Sequence, residues 1–153
     1  IASFFNSQDI HFLANQYFKV IQKASLDFDA IYGPAYKGIP LATAVSQLFY
    51  IEEKKKIDLI FDRKEIKDHG EGGKLIGDIS GKKILIIDDV LTAGTAIKET
   101  VEIIQHYNAK AVAAIVALDR MEKDANSLTF KENLEKNLSI PILSITTFQD
   151  LKK

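Results

Sequence analysis

The sequence predicts an α/β domain built on a mainly parallel central sheet flanked by helices. Three observations predict it. Apolar runs of strand length alternate with segments of helical periodicity along the chain. Two of the runs, 84–87 and 111–118, are apolar almost throughout, as strands buried on both faces are. The 153 residues are 46% hydrophobic and 27% charged, which is the composition of one globular domain with its own core.

The elements follow in order. Ile10, Leu13, Tyr17, Ile21 and Ala24 recur at helical spacing, with Ser7 as the candidate N-cap. Residues 29–32 read as the first strand, stopped by Gly33 and Pro34. A second helix follows, with Pro40 in its first turn and Leu41, Val45 and Leu48 on one face. Residues 56–61 read as a strand and 75–78 as a short one. Between them, residues 62–74 are polar and carry glycine at 70, 72 and 73, which predicts a long mobile loop. Residues 84–87 are expected to form the central strand. Ile97, Val101 and Ile104 mark a third helix, with Thr95 as its candidate cap. Residues 111–118 form the next strand. Thr129 and Glu132 have capping-box spacing ahead of Leu134 and Leu138, which predicts a fourth helix. Residues 141–145 supply the last strand.

Composition excludes several chemistries. With no cysteine there is no disulfide, thiolate metal site or cysteine nucleophile. That fits a reducing compartment, and a cytoplasmic location is expected. Twenty basic residues against 21 acidic give a net charge of −1, which argues against nucleic-acid binding driven by bulk charge. No apolar run approaches the roughly 18 residues needed to span a membrane. His11 and His106 fall on predicted helices without metal-site spacing.

The chemistry is concentrated in residues 84–96, ILIIDDVLTAGTA. A buried strand is expected to end in two carboxylates, Asp88 and Asp89, followed by the small-residue turn Thr92-Ala93-Gly94-Thr95 and a helix start. In open α/β sheets, ligands bind beyond the carboxyl ends of the strands. A helix N-terminus offers free N–H groups and a positive dipole end, which suits phosphate. Adjacent carboxylates would repel that phosphate unless they accept hydrogen bonds from sugar hydroxyls. The combination reads as a ribose 5-phosphate site. It is neither a Walker P-loop nor a dinucleotide fingerprint, because both diagnostic glycine patterns are missing.

This stretch resembles the phosphoribosyl-diphosphate (PRPP) signature of the type I phosphoribosyltransferases. Residues 28–40, FDAIYGPAYKGIP, resemble the pyrophosphate loop of one subgroup, the orotate phosphoribosyltransferases. Residues 63–73, RKEIKDHGEGG, resemble that subgroup's catalytic loop. Leu118-Asp119-Arg120 resembles its orotate-binding strand end, and Phe4-Phe5-Asn6 the end of its N-terminal orotate-binding segment. The resemblance runs through almost the whole chain in the family's order. It implies the type I phosphoribosyltransferase fold with a flexible catalytic lid loop. It also implies transfer of the ribose 5-phosphate of PRPP to orotate, giving orotidine 5′-phosphate and pyrophosphate in pyrimidine synthesis.

The resemblance also assigns roles. Tyr36 and Lys37 would meet the pyrophosphate. Arg63, Lys64, Lys67 and His69 would bind PRPP from the lid, with Lys67 catalytic. Asp88 and Asp89 would hold the ribose hydroxyls and act at the reacting centre. Val90, Leu91, Thr92, Ala93, Gly94, Thr95 and Ala96 would complete the PRPP cradle. Phe4, Phe5, Thr92 and Arg120 would bind orotate, Arg120 through its planar guanidinium. Magnesium would be held mainly by PRPP oxygens, with no direct protein ligand. The lid would reach the neighbouring subunit of a homodimer. Residues 1–153 are expected to be a single phosphoribosyltransferase domain, with the family's N-terminal segment and C-terminal helix outside it. Two rivals are disfavoured: a PRPP-sensing regulator on the same fold, by the retention of Lys64, Lys67 and His69, and a purine or uracil transferase, by Arg120 and the lid. Charge alone gives the lid no bias, because Lys/Arg at 63, 64, 67 and 74 face Asp/Glu at 62, 65, 68 and 71.

Overall fold

The computed structural model describes residues 5–63, 75–123 and 125–147. The chain runs α1 (Ser7–Ala24), β1 (Ala30–Gly33), α2 (Gly38–Glu53), β2 (Asp58–Asp62), β3 (Leu75–Ile76), β4 (Lys83–Leu91), α3 (Thr95–His106), β5 (Lys110–Asp119), α4 (Phe130–Leu138) and β6 (Ile142–Thr147). The six strands form one sheet in the order β3-β2-β1-β4-β5-β6. Five are mutually parallel, and only β3 runs antiparallel, beside β2.

Period-two alternation explains how the sheet splits the core into two layers. Ile31, Leu85, Ile87 and Ile115 point to one face and bury against α1 and α2. Ala30, Tyr32, Ile84, Ile86 and Val116 point to the other and bury against α3 and α4. Each fully buried Ile or Leu contributes about 1.5–3 kcal/mol. The register between β4 and β5 slips once, between Ile84↔Ala111 and Leu85↔Ala113. Val112 is the extra residue of this bulge, and it packs on the same layer as Ala113.

The order places a topological switch point between β1 and β4. From β1 the chain passes through α2 to β2 on one side; from β4 it passes through α3 to β5 on the other. The loops at the carboxyl ends of β1 and β4 therefore diverge and leave a crevice, the usual ligand position in such sheets.

Local caps correct two expectations. The N-cap of α1 is Asn6, not Ser7: its side chain accepts from the Asp9 backbone N–H at 2.9 Å. The N-cap of α3 is Gly94, not Thr95, which is the first helical residue. The fourth helix has the expected capping box. Thr129 Oγ1 accepts from Glu132 N at 3.1 Å, and Glu132 Oε1 accepts from Thr129 N at 3.2 Å. Hydrogen bonds from Thr129 hold the Glu132 carboxyl below its usual range. Thr129→Ala is expected to cost about 1 kcal/mol, read as a fall in Tm of about 2–4 °C.

Among the described residues, no helix is long and apolar enough to cross a membrane.

Candidate functional site

The site grows from the end of β4. The strand does not stop at the carboxylates as expected: it continues through Leu91, so Asp88 and Asp89 lie within it. Parallel pairing with β5, Val90↔Leu118 and Leu91↔Asp119, keeps this end extended. The pleat sends neighbouring side chains to opposite faces, so the two carboxylates flank the strand instead of sharing a side. Each is anchored forward along the chain. Asp88 Oδ1 accepts from Asp89 N, and Asp89 Oδ1 accepts from Val90 N, both at 2.8 Å. Asp88 is buried and Asp89 half-buried.

The turn follows at once. Thr92 and Ala93 are exposed, and Gly94 is buried with φ of 79°. That left-handed conformation disfavours any side chain. A Cβ there would lie 2.3 Å from Leu134 Cδ1, so α4 packs directly beneath the turn. No side chain caps α3, so its first N–H groups are not consumed by a capping oxygen. A pocket of about 310 Å³ opens here, bordered by Asp88, Val90, Thr92, Gly94, Thr95 and Ala96. It is open and lies at a helix N-terminus, which suits a phosphorylated sugar.

The second wall is the turn between β1 and α2. Tyr36 and Lys37 are exposed there, and the Ala35–Tyr36 peptide is cis. Gly33 and Gly38 let this turn approach β4. A Cβ on Gly38 would lie 2.9 Å from the Ile87 carbonyl oxygen, and one on Gly33 would lie 2.5 Å from the Gly38 carbonyl oxygen. The glycines therefore bring Lys37 beside the strand that carries Asp88 and Asp89. Arg63 is half-buried and follows the last residue of β2, the next strand along.

The third wall is the end of β5. Arg120 N donates to Leu91 O at 3.2 Å, which ties this turn to the end of β4. The Arg120 side chain is 53% exposed, and its Nε lies 3.5 Å from Glu122 Oε1. This exposed pair is weak and leaves the guanidinium available for exchange of partner.

Most of the expected site residues thus gather at one edge of the sheet: Tyr36, Lys37, Arg63, residues 88–96 and Arg120. Phe5 is half-buried, just ahead of α1. Phe4, Lys64, Lys67 and His69 lie outside the described residues. Residues 62–74 were expected to be loop throughout, but Asp62 belongs to β2. His11 and His106 are exposed, the first on α1 and the second at the end of α3.

Two supports went unseen in the sequence. Tyr17 OH, on α1, donates to the Asp88 carbonyl at 2.6 Å from within the core. Burial, with the nearby Asp88 and Asp89 charges, pushes this phenol well above its ordinary pKa, so it remains a donor. Asp62 Oδ2 accepts from Tyr32 OH, and Asp62 Oδ1 from Ala35 N, both at 2.8 Å. Burial and then Asp62 push the Tyr32 phenol up likewise. In the sequence, Tyr17 showed only as a core position of a helix, and Asp62 only as one acid in a charged run.

Among the described residues, no group of three or more His, Asp or Glu stands together as a metal site. The donor set, two carboxylates that each already accept a backbone N–H, suits an ion bound mainly by substrate oxygens.

Comparison with known proteins follows the same lines. Residues 6–141 match the phosphoribosyl transferase domain model. The orotate phosphoribosyltransferase of Marinobacter nauticus is 42% identical over 151 residues, which cover 98% of this chain and 71% of that protein. The enzyme of the same name from Pasteurella multocida is 43% identical over the same spans. The crystal structure of orotate phosphoribosyltransferase from Francisella tularensis superposes with a TM-score of 0.84 at 35% identity, covering 97% of this chain and 71% of that one.

Proposed function

Because this chain belongs to the phosphoribosyltransferase family, and within it to the orotate phosphoribosyltransferases, we propose that its sheet edge performs the transfer as follows. PRPP lies across the β1/β4 crevice. Its 5-phosphate sits on the backbone N–H groups of residues 92–95 at the start of α3. Its ribose hydroxyls donate to Asp88 and Asp89. Its pyrophosphate meets the turn of Tyr36 and Lys37 and the side chains of Arg63, Lys64, Lys67 and His69. Orotate docks with its carboxylate on Arg120, against Phe4, Phe5 and Thr92.

In the reaction the bond from C1 to pyrophosphate oxygen breaks as orotate N1 bonds to C1. Orotidine 5′-phosphate and pyrophosphate leave, and the N1 proton is released. Positive charge develops on the ribose ring and negative charge on the leaving group. Fixed carboxylates on one side and cations on the other stabilise both, which is electrostatic catalysis. Tyr17 and the forward N–H bonds hold the strand end so that little reorganisation is needed as charge develops. Lys67 acts on the leaving group, and the lid excludes water.

Magnesium belongs to the same proposal: when bound it neutralises pyrophosphate oxygens, and no side chain is assigned to hold it directly. So do a homodimer, in which the lid serves the neighbouring subunit's site, and a cytoplasmic location.

The observation that carries the reading is the juxtaposition of the uncapped α3 start, the Asp88-Asp89 strand end and Arg120 at one sheet edge. The test is competition between bases. The chain is given PRPP, magnesium and equal orotate, uracil and hypoxanthine. Orotate is consumed and the other two persist. Consumption of uracil or hypoxanthine in its place refutes the assignment, as does PRPP binding with no turnover.

A further inference from the structure

We propose that Asp62 is a positioning residue for pyrophosphate: it holds the turn that carries Tyr36 and Lys37 in its binding shape. The inference rests on the PRPP reading of the site and deepens it.

Asp62 ends β2 and is 9% exposed. Gly33 pairs with Phe61, so Asp62 stands level with the point where the chain leaves β1. There the turning chain forfeits its ladder partners. The Asp62 carboxylate replaces them, because one oxygen takes the Ala35 N–H and the other the Tyr32 hydroxyl, each at 2.8 Å. Ala35 directly precedes Tyr36. Tyr32 is fully buried, so the carboxylate is fixed to the core at one oxygen and to the turn at the other.

Packing does not fix the turn from the α3 side. A cavity of about 290 Å³ opens there, bordered by Ala35, Asp62, Arg63 and Thr100. On that side the Asp62 bonds hold the turn, which is closed from within by Gly38 N to Pro34 O at 3.1 Å and Ile39 N to Tyr36 O at 3.2 Å. An acid so close to a polyanion site carries a cost in repulsion. Its two short bonds to buried donors explain why it stands there. It also directly precedes Arg63.

The experiment compares the full chain with Asp62→Ala and Asp62→Asn. PRPP affinity is read by calorimetry with magnesium, and KM for PRPP and for orotate by turnover. Asp62→Ala is expected to weaken PRPP binding about tenfold or more while orotate KM moves less than about twofold. Asp62→Asn keeps an acceptor for Ala35 N and offers an amide N–H to the Tyr32 oxygen. It is expected to stay within about threefold of the parent. PRPP binding unchanged in Asp62→Ala overturns the inference. So does equal damage by alanine and asparagine, which would make the charge itself the active feature. If Asp62→Ala does not fold, Tyr32→Phe decides: about threefold weaker PRPP binding supports the inference, and no change overturns it. A parent chain that binds PRPP but ignores orotate defeats the functional reading alone, and the calorimetric comparison still decides the role of Asp62.

Discussion

Replacing Lys67 with alanine is expected to lower kcat by about 10²–10³-fold with the fold intact. The argument is differential binding. In the ground state the pyrophosphate charge is already spread and partly neutralised. As the C1 bond breaks, negative charge accumulates on the leaving oxygen. A cation placed there interacts more strongly with the transition state than with bound PRPP, and only that difference accelerates the step. The mutation should therefore appear in kcat more than in the KM for orotate. Thermal unfolding of the variant should match the parent. Single-turnover kinetics check the first point and a melting curve the second. Unchanged kcat would remove Lys67 from the reacting centre.

The second large effect is expected at Gly94. Gly94→Ala should destabilise the chain by about 2–4 kcal/mol and weaken PRPP binding by more than tenfold. Two causes add. A φ of 79° is strained for any L side chain. The new Cβ would also lie 2.3 Å from Leu134 Cδ1, so that side chain must swing away or the turn must move. Gly94 is also the N-cap of α3, and its carbonyl accepts from Lys98 N at 3.0 Å. Displacing it re-aims the N–H groups assigned to the 5-phosphate. Denaturant unfolding reads the stability, and calorimetry with PRPP reads the site. Lost stability with unchanged PRPP affinity would separate the turn from phosphate binding.

How much of this was legible in the sequence depends on distance along the chain. The apolar run from Ile84 to Ile87 marked the central strand, because a doubly buried strand needs no polar alternation. The capping box at Thr129 and Glu132 was legible because its partners are three residues apart. The small-residue turn after Asp88 and Asp89 was legible from local chemistry alone as the break between strand and helix. The end of β4 was not legible: Val90 and Leu91 stay extended only because β5 runs beside them. Thr95 looked the better cap by propensity, but tertiary packing of Leu134 selects glycine one residue earlier. The supports were hidden for the same reason. Tyr17 and Asp88 lie 71 residues apart, and Asp62 and Ala35 lie 27 apart. No local pattern announces such pairs. Lys64, Lys67 and His69 rest on resemblance, as they lie outside the described residues.

The most direct measurement of the central claim is a crystal structure of the chain with orotidine 5′-phosphate, which carries both halves of the reaction in one molecule. The 5-phosphate is predicted against the backbone N–H groups of residues 92–95, the ribose hydroxyls on Asp88 and Asp89, and the base carboxylate on Arg120. A larger cavity of about 750 Å³ between α3 and α4 shares Ala93, Gly94 and Thr95 with that turn and offers a different seat only at its far end, by Phe130 and Asn137. Nucleotide bound there, with the β4–α3 turn empty, would contradict the account.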